Sequence, residues 1–160
     1  MKRIFLIISA IICANCAMAT ESLVGGFKVI QGVNGSVGVK KDGRLWVGQY
    51  GNGVFTLLSP SREAALKDRI WVMDSWAKGK KYAEGIRSLK AYYQLDCEER
   101  AVKILTVIGY SGYFGEGTAN DTGGKPSNWH YVVPGSTGAF ILDLGCSFNK
   151  PYKDQREGKK

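Results

Sequence analysis

The chain predicts a β-rich α+β domain: an antiparallel sheet of about six strands, a C-terminal helix packed on it, and one disulfide. Three observations carry this reading. Apolar and polar residues alternate at period two through much of the chain, which is the pattern of strands with two distinct faces. Turn-forming groups such as Asp42-Gly43 and Gly51-Asn52-Gly53 separate the alternating runs. The segment after Pro134-Gly135-Ser136 switches to helical spacing and ends near a cysteine.

At the N-terminus, Met1-Lys2-Arg3 precedes an apolar run from Ile4 to Ile12 of about nine residues. A basic head and a short apolar core are the first two parts of an export signal. Ala17-Met18-Ala19 supplies the small-residue cleavage site, so residues 1–19 are read as a signal peptide and Thr20 as the first mature residue. The run is too short to cross about 30 Å of hydrocarbon. Cys16 follows Asn15 and Cys13 follows Ile12, so neither offers the small preceding residue that lipid attachment requires. Processing leaves 141 residues, which suits one domain. It also takes the formal net charge from +8 to +6. The basic residues are scattered, so they predict a solvated surface and no specific nucleic-acid site.

Residues 20–148 are read as the single domain, with 20–43 a less regular extension containing the β-type run Phe27-Lys28-Val29-Ile30. Ser36 to Lys40 and Leu45 to Tyr50 flank Asp42-Gly43 as a tight hairpin, because a primed turn needs positive φ. Val54 to Leu58 follows the next turn, and Ser59 to Lys67 is a short helix or turn. Arg69 to Trp76 places Ile70 and Val72 on one face and Trp71 and Met73 on the other, which marks a central strand. Leu89 to Cys97 and Ala101 to Tyr110 form a hairpin about Glu98-Glu99-Arg100. In its second strand, Val102, Ile104, Thr106, Ile108 and Tyr110 are expected on one side. Residues 111–128 are rich in Gly, Ser, Asn and Thr and read as a loop. Ser136 is a helix N-cap, and the helix is expected to finish at Gly145-Cys146. Residues 149–160 are read as a disordered basic tail.

Cys13 and Cys16 fall in the signal, which leaves Cys97 and Cys146 in an oxidising compartment. Their bond closes a loop of about 49 residues, for which chain entropy gives about 4 kcal/mol. Free buried thiols and an intermolecular bond are the alternatives.

Ser88-Leu89-Lys90-Ala91 with Asp96-Cys97 and Arg100, then Tyr110-Ser111-Gly112, Gly117, Trp129, Val133-Pro134-Gly135-Ser136, Gly138 and Cys146, together resemble the surface-adhesin protein E family of Gram-negative bacteria. Ile70-Trp71-Val72 fits that family's tryptophan-bearing strand, and the resemblance covers about residues 44–146. It implies the same sheet, helix and strand-to-helix disulfide. It further implies a cell-envelope location, binding of host matrix and plasma proteins, and formation of a dimer.

Catalytic chemistry finds little purchase. His130 is the one histidine, and Asp121, Glu98 and Glu99 are its nominal acid partners. Gly115-Glu116-Gly117 and Gly123-Gly124-Lys125-Pro126-Ser127 lack the spacing of a phosphate-binding loop. Two cysteines and one histidine do not make a zinc site if the cysteines are bonded. No metal and no cofactor is therefore expected, and the protein is read as non-enzymatic. Tyr113, Phe114 and Trp129 flank the Gly-rich loop and are candidate partner-binding anchors. Lys78, Lys80 and Lys81 are candidates for an anionic partner such as a glycan. The leading function is an exported envelope protein that binds host proteins, placed in the periplasm or at the cell surface. The alternative is a periplasmic accessory or inhibitor contacting a secretion apparatus, lysozyme or another envelope component. A small hydrolase using His130 ranks third.

Overall fold

The computed structural model describes residues 20–24, 27–31, 36–41, 44–77, 79–121, 124–156 and 158. The signal segment 1–19 lies outside them. The strands are β1 (Thr20–Val24), β2 (Phe27–Gln31), β3 (Ser36–Lys41), β4 (Arg44–Gly51), β5 (Val54–Ser59), β6 (Arg69–Trp76), β7 (Ser88–Asp96), β8 (Ala101–Tyr110), β9 (Ala119–Asp121) and β10 (His130–Tyr131). Among the described residues, the helices α1 (Arg62–Ala65) and α2 (Thr137–Arg156) and a 3-10 turn at Tyr113–Gly115 complete the element order. All pairings are antiparallel between neighbours in sequence up to β8, which carries both β9 and β10 on its far side. The expected α+β architecture is present. The sheet exceeds the six strands anticipated, because β1 and β2 extend one edge and β9 and β10 are short additions to the other.

Local chemistry accounts for the hairpins. Gly51 pairs with Val54, and the intervening Asn52 and Gly53 hold φ of 53° and 79°, as a primed turn requires. Lys41 pairs with Arg44, which leaves the two residues 42 and 43 between β3 and β4. Those two turn residues themselves fall outside the described set. At the β7–β8 turn, Asp96 accepts from the amides of Glu98 and Glu99 at 3.2 and 2.9 Å. Ser61 caps α1 by accepting from the Ala64 amide, and Ser136 caps α2 by accepting from the Ala139 amide.

The sheet buries both faces. On one, Leu58, Ile70, Val72, Leu95 and Val102 pack against Ile141 and Leu142 of α2. On the other, Val37, Val39, Trp46, Phe55, Leu57 and Met73 enclose Phe114 from the 3-10 turn. We refer to these as the helix face and the hook face. The two-sided reading of β6 holds, with Ile70 and Val72 under the helix and Met73 under the hook. The sheet curls over the hook face. Lys41 on β3 is ion-paired with Glu116 beside the hook, and Lys90 on β7 lies 5.7 Å from the Trp46 ring on β4. Strands three apart in a flat sheet would be separated by about 14 Å. Gly48 lies in the curling strand β4, where a Cβ would sit 1.9 Å from the Thr56 carbonyl oxygen.

Three expectations are corrected. First, β8 does not keep one alternation. Tyr92 pairs with Thr106 and Tyr93 with Ile104, so Leu105 is a bulge. Val102 and Ile104 therefore share the helix face, while Thr106, Ile108 and Tyr110 turn to the hook face. Second, residues 111–128 hold the hook and β9 rather than forming a loop throughout. Third, α2 does not end at Gly145-Cys146 but runs through Arg156 and includes Pro151. Gly145 is not a helix stop. It is the point of closest approach, where an added Cβ would lie 2.6 Å from Leu95 Cδ1 and 3.5 Å from Ile70. Beyond it, Phe148 packs on the core, Asn149 is buried, and Lys153 pairs with Asp68 at 2.6 Å.

Cys97 follows β7 and is bonded to Cys146 in the middle of α2, closing a separation of 49 residues. Chain entropy assigns such a loop about 4 kcal/mol. The double variant Cys97→Ala/Cys146→Ala is expected to lose about 2–4 kcal/mol in urea unfolding, with reductant reproducing the loss in the parent. Burial, with a smaller push from the Asp74 charge, raises the Tyr93 phenol to about 12 from an ordinary 10.0. The fold thus favours the neutral phenol. Its contribution is complete below pH 10.0 and is lost as pH rises to about 12. That loss amounts to about 2–3 kcal/mol. Unfolding between these two pH values should show a shallower decline for Tyr93→Phe than for the parent.

Candidate functional site

The residues singled out by sequence separate in the structure. Phe114 is fully buried, which removes it from any binding surface. Its amide donates to Ser75 Oγ at 3.0 Å, and the Gly115 amide donates to Ser88 Oγ at 2.8 Å. Both serines are themselves fully buried. These bonds pin Phe114 at φ 51°, a conformation few bulky residues adopt, so the ring is a core plug. Tyr113 packs half-buried beside it, with the Arg87 guanidinium 5.5 Å from its ring. Lys80 is exposed and lies along Gly53, while Lys81 is paired with Glu84 on the exposed loop. Lys78 and Ala19 fall outside the described residues, and Thr20 opens β1 opposite Gln31.

Trp129 is the most exposed aromatic of the original three. It begins a short edge segment. His130 pairs with Val102, Tyr131 with Ala101, and the Val132 amide donates to the Arg100 carbonyl. Val132 turns inward to the helix-face core. Trp129, Tyr131 and Val133, at alternate positions, are 44, 74 and 69% exposed. Among the described residues no strand pairs with the outer side of β10. Tyr131 shares its face with Ala101 and Tyr92, and Tyr92 stacks on Trp71 at 4.7 Å with the Arg69 guanidinium 5.8 Å from its ring. An apolar row on an open strand edge can accept an added strand, whose backbone bonds to the edge while its side chains meet the row. Tyr131 and Val133 were missed from sequence, although the alternation Trp129-Tyr131-Val133 was there to be read.

His130 is exposed on this same edge, and Glu98 and Glu99 are exposed on the neighbouring turn. Among the described residues no group of three His, Cys, Asp or Glu side chains could hold a metal. No helix of the described residues is long and apolar enough to cross a membrane.

A second concavity lies at the other end of the helix face. Gln49, Gly51, Asn52, Val54, Thr56, Asp74, Trp76 and Thr137 line a cleft of about 290 Å³. Thr56 and Asp74 are direct cross-strand partners, and the Thr56 hydroxyl donates to Asp74 Oδ1 at 2.8 Å. Burial raises the Asp74 carboxyl above its ordinary range, opposed by this hydrogen bond. An acid inside the mostly apolar run Ile70-Trp71-Val72-Met73-Asp74-Ser75-Trp76 was the available signal.

A family model described as surface-adhesin protein E matches residues 55–147, a stretch that contains both bonded cysteines, the hook and the exposed edge. Among solved structures, crystal form II of protein E from Haemophilus influenzae is 13% identical, with a TM-score of 0.48, covering 64% of this chain and 93% of that one. The selenomethionine form of the same organism's protein is 12% identical, with a TM-score of 0.43, covering 81% of this chain and 92% of that one. A third structure of that protein is 12% identical, with a TM-score of 0.42 and coverages of 83% and 93%. No curated protein matches the chain. The matched family model spans more than half of the sequence, and the chain belongs to the surface-adhesin protein E family.

Proposed function

We propose that this protein acts after export as a non-enzymatic adhesin that captures host matrix or plasma proteins at the outer edge of β10. The exposed row Trp129, Tyr131 and Val133, on an edge that no other described strand pairs, carries the reading. Membership of an adhesin family supports it. Aromatic side chains on a rigid frame bury large area at little entropic cost, so they anchor protein interfaces. The frame is rigid here because β10 is paired to β8 on one side and leads through Ser136 directly into α2. The edge presents backbone donors and acceptors as well as rings, so it suits an extended segment of the partner.

Capture of the processed protein on immobilised host matrix and plasma proteins tests this. Trp129→Ala and Tyr131→Ala should each weaken binding about tenfold or more, with far-ultraviolet and near-ultraviolet dichroism unchanged. Binding that survives both substitutions together would remove the edge from the function. Location is checked separately. Intact cells treated with external protease should lose the protein, whereas a periplasmic accessory would be spared. The intact mass of the recovered protein should correspond to a chain beginning at Thr20.

A further inference from the structure

The cleft at the start of α2 has a chemistry unlike that of the β10 edge. Its polar lining combines one carboxylate, two carboxamides and two hydroxyls: Asp74, Gln49, Asn52, Thr56 and Thr137. Its aromatic wall is Trp76, braced by Tyr82 with ring centroids 5.3 Å apart. Among the described residues, the one side-chain hydrogen bond within this lining runs from the Thr56 hydroxyl to Asp74 Oδ1. Among the described residues lining the cleft there is neither lysine nor arginine, so an anion would meet the Asp74 carboxylate with no lining cation to offset it. A single carboxylate without further His, Cys, Asp or Glu is a poor cage for a divalent cation. An apolar ligand would strand the amides and hydroxyls.

A neutral pyranose meets every one of these conditions. Its hydroxyls donate to a carboxylate and exchange hydrogen bonds with carboxamides, while its C–H face lies on an indole ring. The volume of about 290 Å³ is at the lower end of small-ligand sites and suits one sugar ring. We infer that the cleft bounded by Gln49, Asn52, Thr56, Asp74 and Trp76 is a binding site for a neutral monosaccharide unit, such as the terminal residue of a glycan. It lies at the start of α2, whereas the disulfide holds the middle of that helix, and none of its lining residues belongs to β10.

Saturation-transfer NMR and calorimetry on the processed protein, with methyl galactoside, methyl glucoside and N-acetylglucosamine as probes, test the inference. At least one probe should bind saturably, with the protons of its C–H face most strongly saturated. Asp74→Asn and Gln49→Ala should each weaken that binding about fivefold or more, and Trp76→Phe should reduce the face saturation. Tyr131→Ala should leave it unchanged, which separates this site from the β10 edge. Gln49→Ala serves as the second variant if Asp74→Asn proves unstable. Absence of saturable binding for all three sugars, or binding unmoved by either polar substitution, would overturn the site. Saturable binding of n-butylamine, lost in Asp74→Asn, with no sugar bound would overturn it in favour of an ammonium ligand.

Discussion

The seating of α2 on the sheet is the constraint on which the other features depend. At Gly145 the helix backbone comes so close that a methyl group would overlap Leu95, and the next residue, Cys146, is tied to Cys97. Contact and covalent bond act on the same turn of helix. Ile141 and Leu142 then fall over Ile70, Val72 and Leu58, and Phe148, Asn149 and the Lys153–Asp68 pair carry the helix on toward α1. A small domain has limited apolar surface to bury, so a loop closure worth several kcal/mol is a large share of its stability.

The opposite face is organised by different means. The hook carries Phe114 into a pocket made by strands that curl toward it, and two buried serines hold its backbone. Curling requires a backbone without a side chain at Gly48. It also brings Lys41 to Glu116, and Lys90 over the rings of Trp46 and Tyr110. Where the helix covers one face and the hook the other, the described strands β5 to β7 have little free face to offer a partner. The two proposed recognition sites accordingly lie at an edge, β10, and in the cleft at the start of α2.

Those two places differ in chemistry as well as position. The β10 edge is aromatic, exposed and open along its backbone. The cleft is polar, partly enclosed and backed by one indole. The bulge at Leu105 contributes to this division, since it reverses the facing of β8 between the two ends and puts Ile104 under the helix side but Ile108 under the hook side.

Much of the architecture is present in local pattern: alternating runs, Asn-Gly and four-residue turns, a serine cap, and two cysteines left to pair. These features depend on neighbours in sequence, so the class of fold, the order of strands β3 to β8 and the disulfide were legible from the chain by itself. The family was legible too, because its matching residues are mostly structural. Position in three dimensions was not. Phe114 looks like an exposed loop aromatic until two distant serines pull it inward, and Gly145 looks like a helix stop until Leu95 is placed beneath it. The register slip at Leu105, the exposure of Tyr131 and the company of Asp74 are likewise set by strands far apart in sequence. Tertiary structure decided them because burial and close approach are properties of pairs of elements, and a one-dimensional period reports only one element at a time.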